Sequence, residues 1–186
     1  MIPDNHLLGI AEKAVQGYGA LQDEWELAIL LQIVQLHRPA KMLEIGSYTG
    51  GSLYAWRTAL PDCHVFSCTL GDAPNFHGHG ASMIIGDSTH QDTQRRIFER
   101  GADMDFVFVD GGHDQATAES DVELAFKLTA QTNGLVGIHD INLFYRYPEL
   151  DGPRTVWNNW RARQYPSLEI ANINHKDPGT GLLWNR

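Results

Sequence analysis

Two groups of residues in this chain have the types and spacing of a reactive site. The first is Glu44-Ile45-Gly46-Ser47-Tyr48-Thr49-Gly50-Gly51-Ser52, where an acid at the end of an apolar run meets a glycine-rich turn. Gly46, Gly50 and Gly51 allow a tight bend and let a ligand approach bare backbone. A helix opening near Ser52 offers unpaired N–H groups and a positive dipole end to a carboxylate or phosphate. The second group closes two later apolar runs: Asp110 with Gly111-Gly112-His113, and His139-Asp140-Ile141-Asn142. Carboxylates and imidazoles of this kind serve as bases, and an oxygen-rich cluster suits magnesium. Glu44 marks function on its own account, because an unpaired carboxylate at a buried strand end is expensive.

The elements that must position these groups can be read from periodicity. Helical spacing runs over residues 5–15, and Gly17-Tyr18-Gly19 breaks it. A stronger helix follows from Gln22-Asp23-Glu24-Trp25 to residue 36, with Leu27, Leu30, Leu31, Ile33 and Val34 inward. Short apolar runs at 42–45, 65–70, 83–85, 105–110 and 135–138 read as strands buried on both faces. Helices at 51–60, 90–100, 116–129 and 155–163 alternate with them, and Trp25, Trp157 and Trp160 read as core. The last two strands, 168–173 and 181–184, are joined by a turn short enough for an antiparallel hairpin. Alternation of strands and helices predicts an α/β fold, a doubly wound, mostly parallel sheet with helices on both faces. In such sheets ligands lie outside the carboxyl ends of the strands. The polar residues at those ends run from Glu44 to Gly51, with Thr69 and Asp72, Asp87 and Ser88, Asp110 to His113 and His139 to Asn142.

The totals narrow the class. At 186 residues, 42% hydrophobic and 20% charged, the chain reads as one domain, with N-terminal helices over 1–38 and a core over 39–186. A net charge of −9 argues against nucleic acid as a partner. Arg154, Arg161 and Arg163 read as a solvated helix face. Cys63 and Cys68 are too few and too close for a disulfide framework. The opening Met1-Ile2-Pro3-Asp4-Asn5 has no basic or apolar leader pattern, and no apolar run reaches membrane-spanning length. A cytoplasmic enzyme without a membrane partner is the expectation.

Several familiar sites are excluded. The residue two after Gly46 is Tyr48, where a dinucleotide fingerprint needs glycine, and the turn lacks the lysine of a phosphate-binding P-loop. No Gly-x-Ser-x-Gly elbow exists for a serine hydrolase. His77-Gly78-His79 has the look of a metal pair but reads as loop.

The stretch from Glu44 to Ser52 resembles motif I of class I S-adenosylmethionine-dependent methyltransferases. The resemblance runs from about Gln22 to the end. It is closest to the small O-methyltransferase-like branch that includes cephalosporin-hydroxylase and macrocin-methyltransferase relatives. Asp105 to Asp110 with Gly111-Gly112-His113 is similar to that branch's fourth-strand motif, Gly134 to Asn142 to its fifth, and the closing hairpin to its antiparallel seventh strand.

The resemblance implies a seven-stranded Rossmann-like sheet and S-adenosylmethionine as cofactor. The bend through Gly46, Ser47, Tyr48, Gly50, Gly51 and Ser52 would cradle the methionine moiety, with Glu44 acting through water. Asp87 would take the adenine amino group, with Ser88 beside it. The family's acid at the end of the second strand is replaced by Thr69, so the ribose would fall to Thr69 and to Asp72 further along. In the family's strand order the fourth and fifth strands are neighbours, about 4.8 Å apart, which brings Asp110 and Asp140 together. Matching acids hold a divalent ion in branch members, which makes Asp110, Asp140 and His139 the metal candidates, for a magnesium ion (Mg2+). His139, His113 and Asp110 are the catalytic candidates.

Methyl transfer to a hydroxyl of a small-molecule acceptor, a sugar or secondary metabolite, is the function implied. Tyr145, Arg146 and Tyr147 lie where acceptors bind in relatives, and a homo-oligomer is compatible with this reading. The alternative, kept open by Thr69, is a protein of the same fold that binds its ligand without transferring methyl. A nicotinamide oxidoreductase is disfavoured by the glycine spacing.

Overall fold

The computed structural model describes residues 2–71, 80–142, 150–171 and 178–186. Two helices open the chain. In α1 (Asn5–Tyr18) the Asp4 carboxylate accepts from the N–H groups of His6 and Leu7, and Gly19 closes the helix in the left-handed region at φ 74°. In α2 (Glu24–His37) Asp23 accepts from the Glu26 N–H. Capping acids of this kind satisfy donors that the first turn leaves unpaired. α1 runs through Gly17, past the expected break. Tyr18 stacks on the Tyr54 ring at 4.3 Å between centroids, so packing carries the helix one turn further.

The remaining elements alternate: β1 (Lys41–Ile45), α3 (Gly51–Ala59), β2 (His64–Thr69), β3 (Ser82–Ile85), α4 (Gln91–Gly101), β4 (Phe106–Val109), α5 (Gln115–Thr129), β5 (Leu135–Ile138), α6 (Gly152–Arg161), β6 (Ser167–Ile170) and β7 (Thr180–Trp184). The sheet order is β3-β2-β1-β4-β5-β7-β6. β1 to β5 run parallel, and β7 lies antiparallel between β5 and β6. This is the predicted seven-stranded arrangement, hairpin included.

β4 shows why its run is continuously apolar. Phe106 and Phe108 join the core beneath α1, α2 and α3, with Leu30, Met42 and Trp56. Val107 and Val109 join the opposite core, with Leu43, Val122, Val136 and Trp157. Neither face of the strand meets water, so alternation gives no polar position.

Three details differ from expectation. α6 starts at Gly152–Pro153, earlier than read, because proline in the first turn loses no helical hydrogen bond. β6 stops at Ile170. Trp25 is 37% exposed while Glu26 is buried, so the start of α2 turns its acid inward and its indole outward. Trp157 and Trp160 are buried as read. Arg161 pairs with Glu169, and the Arg163 guanidinium lies 3.9 Å from the centroid of the Trp160 ring, so this face carries specific contacts. Both cysteines are free and buried. No helix among the described residues is long and apolar enough to cross a membrane.

Candidate functional site

At the end of β1, Glu44 is fully enclosed. Its Oε2 accepts the hydroxyls of Ser47 at 2.7 Å and Ser52 at 3.0 Å, and its Oε1 accepts the Trp56 indole N–H at 3.0 Å. Ser52 and Trp56 stand one helical turn apart on α3, so one carboxyl ties strand, turn and helix together. The Ser47 and Ser67 hydroxyls, 2.7 Å apart, extend the network to β2. Burial pushes the Glu44 carboxyl up to about 7, against the hydrogen bonds from Trp56, Ser47 and Ser52. Among the described residues, every hydrogen-bond donor to Glu44 is a neutral group.

The turn is tighter than its glycines suggested. Gly46 sits at φ 100°, and a Cβ there would fall 1.8 Å from the Asp110 carbonyl oxygen. A Cβ on Gly51 would fall 2.3 Å from the backbone nitrogen of Ala20. The space a side chain would need at these two positions is filled by neighbouring backbone. Glycine is thus required at both positions by the packing of the turn itself. Gly50 takes φ 90°, and α3 is entered without a side-chain cap. Tyr48, at φ 44°, is 67% exposed and stands on the rim.

One strand away, the second group converges. Val109 pairs with Ile138 across β4 and β5, which sets Asp110 beside His139. Nδ1 of His139 lies 3.0 Å from Asp110 Oδ1 and 3.3 Å from Asp140 Oδ2. Asp140 adopts φ 61°, and its Oδ2 is also 2.6 Å from Nε2 of His113. One ligand atom each from Asp110, His139 and Asp140 falls within a span of 4.8 Å. On the far side of the imidazole, Nε2 faces Glu26 Oε1 at 3.7 Å.

The charges of this cluster support one another. Burial works against a charged His139, but Asp110 and Asp140 outweigh it and hold the imidazole well above its ordinary pKa. Burial likewise opposes ionised Asp140, yet His139 and His113 hold it below the usual carboxylate range. His113 is raised by its hydrogen bond to Asp140. Glu26 is raised by burial, despite His139 and its donors Thr180 Oγ1 and Gly179 N–H.

The residues expected at the adenine are less assembled. Asp87 accepts from Thr89 N at 2.9 Å and Thr89 Oγ1 at 2.7 Å, which hold it below its ordinary pKa. The Ser88 carbonyl accepts from Gln94 Nε2 at 2.9 Å. Thr69 is buried at the end of β2, its carbonyl accepting from Gly86 N at 2.9 Å. Asp72, His77, His79, Tyr145, Arg146 and Tyr147 lie outside the described residues.

Among the buried polar residues not picked out from the sequence, three carry a carboxyl or an amide: Gln22, Glu26 and Asp121. Gln22, between α1 and α2, donates from Nε2 to Asp110 Oδ2 at 2.5 Å. Glu26 reaches the cluster from α2. Asp121 on α5 is wholly buried, and burial pushes it up to about 6 against a hydrogen bond from Ser88. For Glu26 and Asp121 a signal existed: each precedes inward apolar residues by four and seven positions, Leu30 and Ile33 in one case, Ala125 and Leu128 in the other.

Known proteins place this geometry. No curated protein sequence matches the chain. Among solved structures it is similar to the O-methyltransferase TomG from Streptomyces achromogenes, in complex with SAM, at 20% identity and TM-score 0.67, covering 100% of this chain and 92% of TomG. It is similar to the O-methyltransferase from Bacillus cereus in complex with SAH, at 16% identity and TM-score 0.66, over 99% of this chain and 93% of that one. It also resembles MycE of the mycinamycin biosynthetic pathway, in complex with Mg and SAH, at 19% identity and TM-score 0.69. That match covers 99% of this chain but 55% of MycE. At these identities the likeness establishes the fold. The profile described as "Methyltransferase domain" matches residues 43–141, more than half of the chain, from β1 to just past the His139-Asp140 pair; the chain belongs to that methyltransferase-domain family.

Proposed function

We propose that the protein transfers a methyl group from S-adenosylmethionine to a hydroxyl of a small molecule, with a divalent ion such as magnesium at Asp110, Asp140 and His139. The observation that carries this reading is the convergence of those three side chains one strand from the glycine turn. The donor set fits such an ion: two carboxylates and an imidazole within a short span. Glu26 Oε1 stands 3.7 Å behind His139 Nε2, beyond hydrogen-bond distance, on the side where an outer partner of a ligating imidazole would lie. The same family membership, and the uncapped start of α3 after the turn, support the methyl donor.

When bound, the donor supplies an electrophilic methyl on a sulfonium, and the ion supplies Lewis-acid stabilisation of an ionised acceptor oxygen. The protein's own part is placement and proton handling. Asp110 and Asp140 present negative charge at adjacent strand ends. His113, with Nε2–H donated to Asp140, keeps the lone pair of Nδ1 for the acceptor's proton. Glu44 keeps the turn and α3 in register. Positioning alone is worth several kcal/mol, of the order of 7 or more in favourable systems.

A second reading, ligand binding without transfer, is favoured by Thr69 standing where relatives of this branch carry an acid. S-adenosylhomocysteine at 100 times its Kd is expected to stabilise the protein by about 2.7 kcal/mol, read as a rise in Tm, while NAD leaves Tm unchanged. No shift with S-adenosylhomocysteine would remove both readings.

A further inference from the structure

We infer that Gln22 is a further protein ligand of the divalent ion, supplying a neutral amide oxygen beside Asp110, Asp140 and His139. The inference rests on the metal reading above and concerns a residue outside the matched segment 43–141.

Gln22 is 7% exposed, and its amide is pressed against the cluster, Nε2 lying 2.5 Å from Asp110 Oδ2. Its other end is unexplained: Oε1 is buried without any hydrogen-bond partner among the described residues. Buried carbonyl oxygens normally have partners. Turning the amide end for end costs no volume and would carry Oε1 to the Asp110 side. Without a cation that orientation sets two acceptors against each other. With one, it adds a hard neutral oxygen to a set of two carboxylates and one imidazole, which is thin for an ion that prefers oxygen ligands. The amide therefore suits both states, donating to Asp110 in the empty cluster and accepting the ion in the loaded one.

The position of Gln22 gives the inference a second consequence. The linker that carries it packs on the glycine turn, with Ala20 against Gly51 and the Gly19 carbonyl accepting from Thr49 Oγ1 at 3.4 Å. An ion held by Gln22 would fasten that linker across both halves of the site.

Manganese titrated into the full chain without methyl donor, followed by calorimetry and by the electron-spin signal of free ion, tests this. Gln22→Met removes the oxygen and keeps the length, and is expected to weaken binding about tenfold. Gln22→Glu is expected to bind as tightly as the wild type or tighter, because a ligating oxygen remains and gains charge. If Gln22 served only as a donor holding Asp110, Gln22→Glu would repel that acid and bind most weakly, which overturns the inference. Gln22→Met binding like the wild type, while Asp140→Asn loses the ion, overturns it and leaves the metal reading standing. No saturable binding by the wild type removes both.

Discussion

Glu44 and Asp140 both end up buried beside strands of one parallel sheet, and their surroundings drive them in opposite directions. Glu44 meets two hydroxyls and an indole N–H, all neutral, and burial raises its pKa to about 7. Asp140 meets two imidazoles, and they hold it well below the usual carboxylate range in spite of burial. A buried acid with no cation beside it is raised by burial even though its neutral donors pull the other way, and it works as a clasp. A buried acid hydrogen-bonded to imidazoles keeps its charge and remains available to a ligand. Under the proposed function the difference separates the scaffold of this site from its reactive part.

The largest expected break of that contrast is at the charged pole. Asp140→Asn keeps the shape but removes one anion from the His113–His139 pair and one ligand from the proposed ion. Methyl transfer should fall by about 100-fold or more, with far-ultraviolet circular dichroism unchanged. A variant within twofold of wild type would place Asp140 outside the chemistry.

Next comes the clasp. Glu44→Ala leaves the buried donors of Ser52 and Trp56 without an acceptor, Ser47 keeping Ser67, and should cost about 3 kcal/mol of stability in urea unfolding. Glu44→Gln tests the protonation half of the comparison. A carboxyl raised from 4.5 to about 7 contributes stability that is full below pH 4.5 and is lost as pH rises through about 7. Wild-type stability should therefore decline over that window by about 3 kcal/mol from this group, and Glu44→Gln should lack the decline. Equal slopes would mean that Glu44 is ionised in the folded protein.

The smallest effect concerns Glu26, which lies between the two cases, taking neutral donors from β7 and facing His139. Thr180→Val removes the hydroxyl donor and should cost about 1 kcal/mol, measured by the same unfolding. A loss several times larger would assign Glu26 to the scaffold.

Much of the sheet was legible because parallel strands covered on both faces must be continuously apolar. An acid or histidine closing such a run, as at Asp110 and His139, therefore stands out. The register of β4 on β5 then follows from the fold, and with it the meeting of Asp110, His139 and Asp140. Gln22 was illegible: it reaches Asp110 across 88 positions of sequence, through the packing of a linker that has no pattern of its own. Glu26 was legible in its spacing to Leu30 and Ile33, but reading Trp25 as core turned the start of that helix the other way. The glycines were half legible for a related reason. Spacing shows that Gly46 and Gly51 need room, but only the fold shows that Asp110 and Ala20 use it.

The central claim is most directly tested by methyl release from labelled S-adenosylmethionine across a panel of small hydroxyl acceptors, with magnesium and with a chelator. The account expects transfer to at least one acceptor, at a rate that the chelator cuts by about 100-fold. A protein that binds the donor yet transfers to none of them, or transfers equally well under chelation, would contradict it.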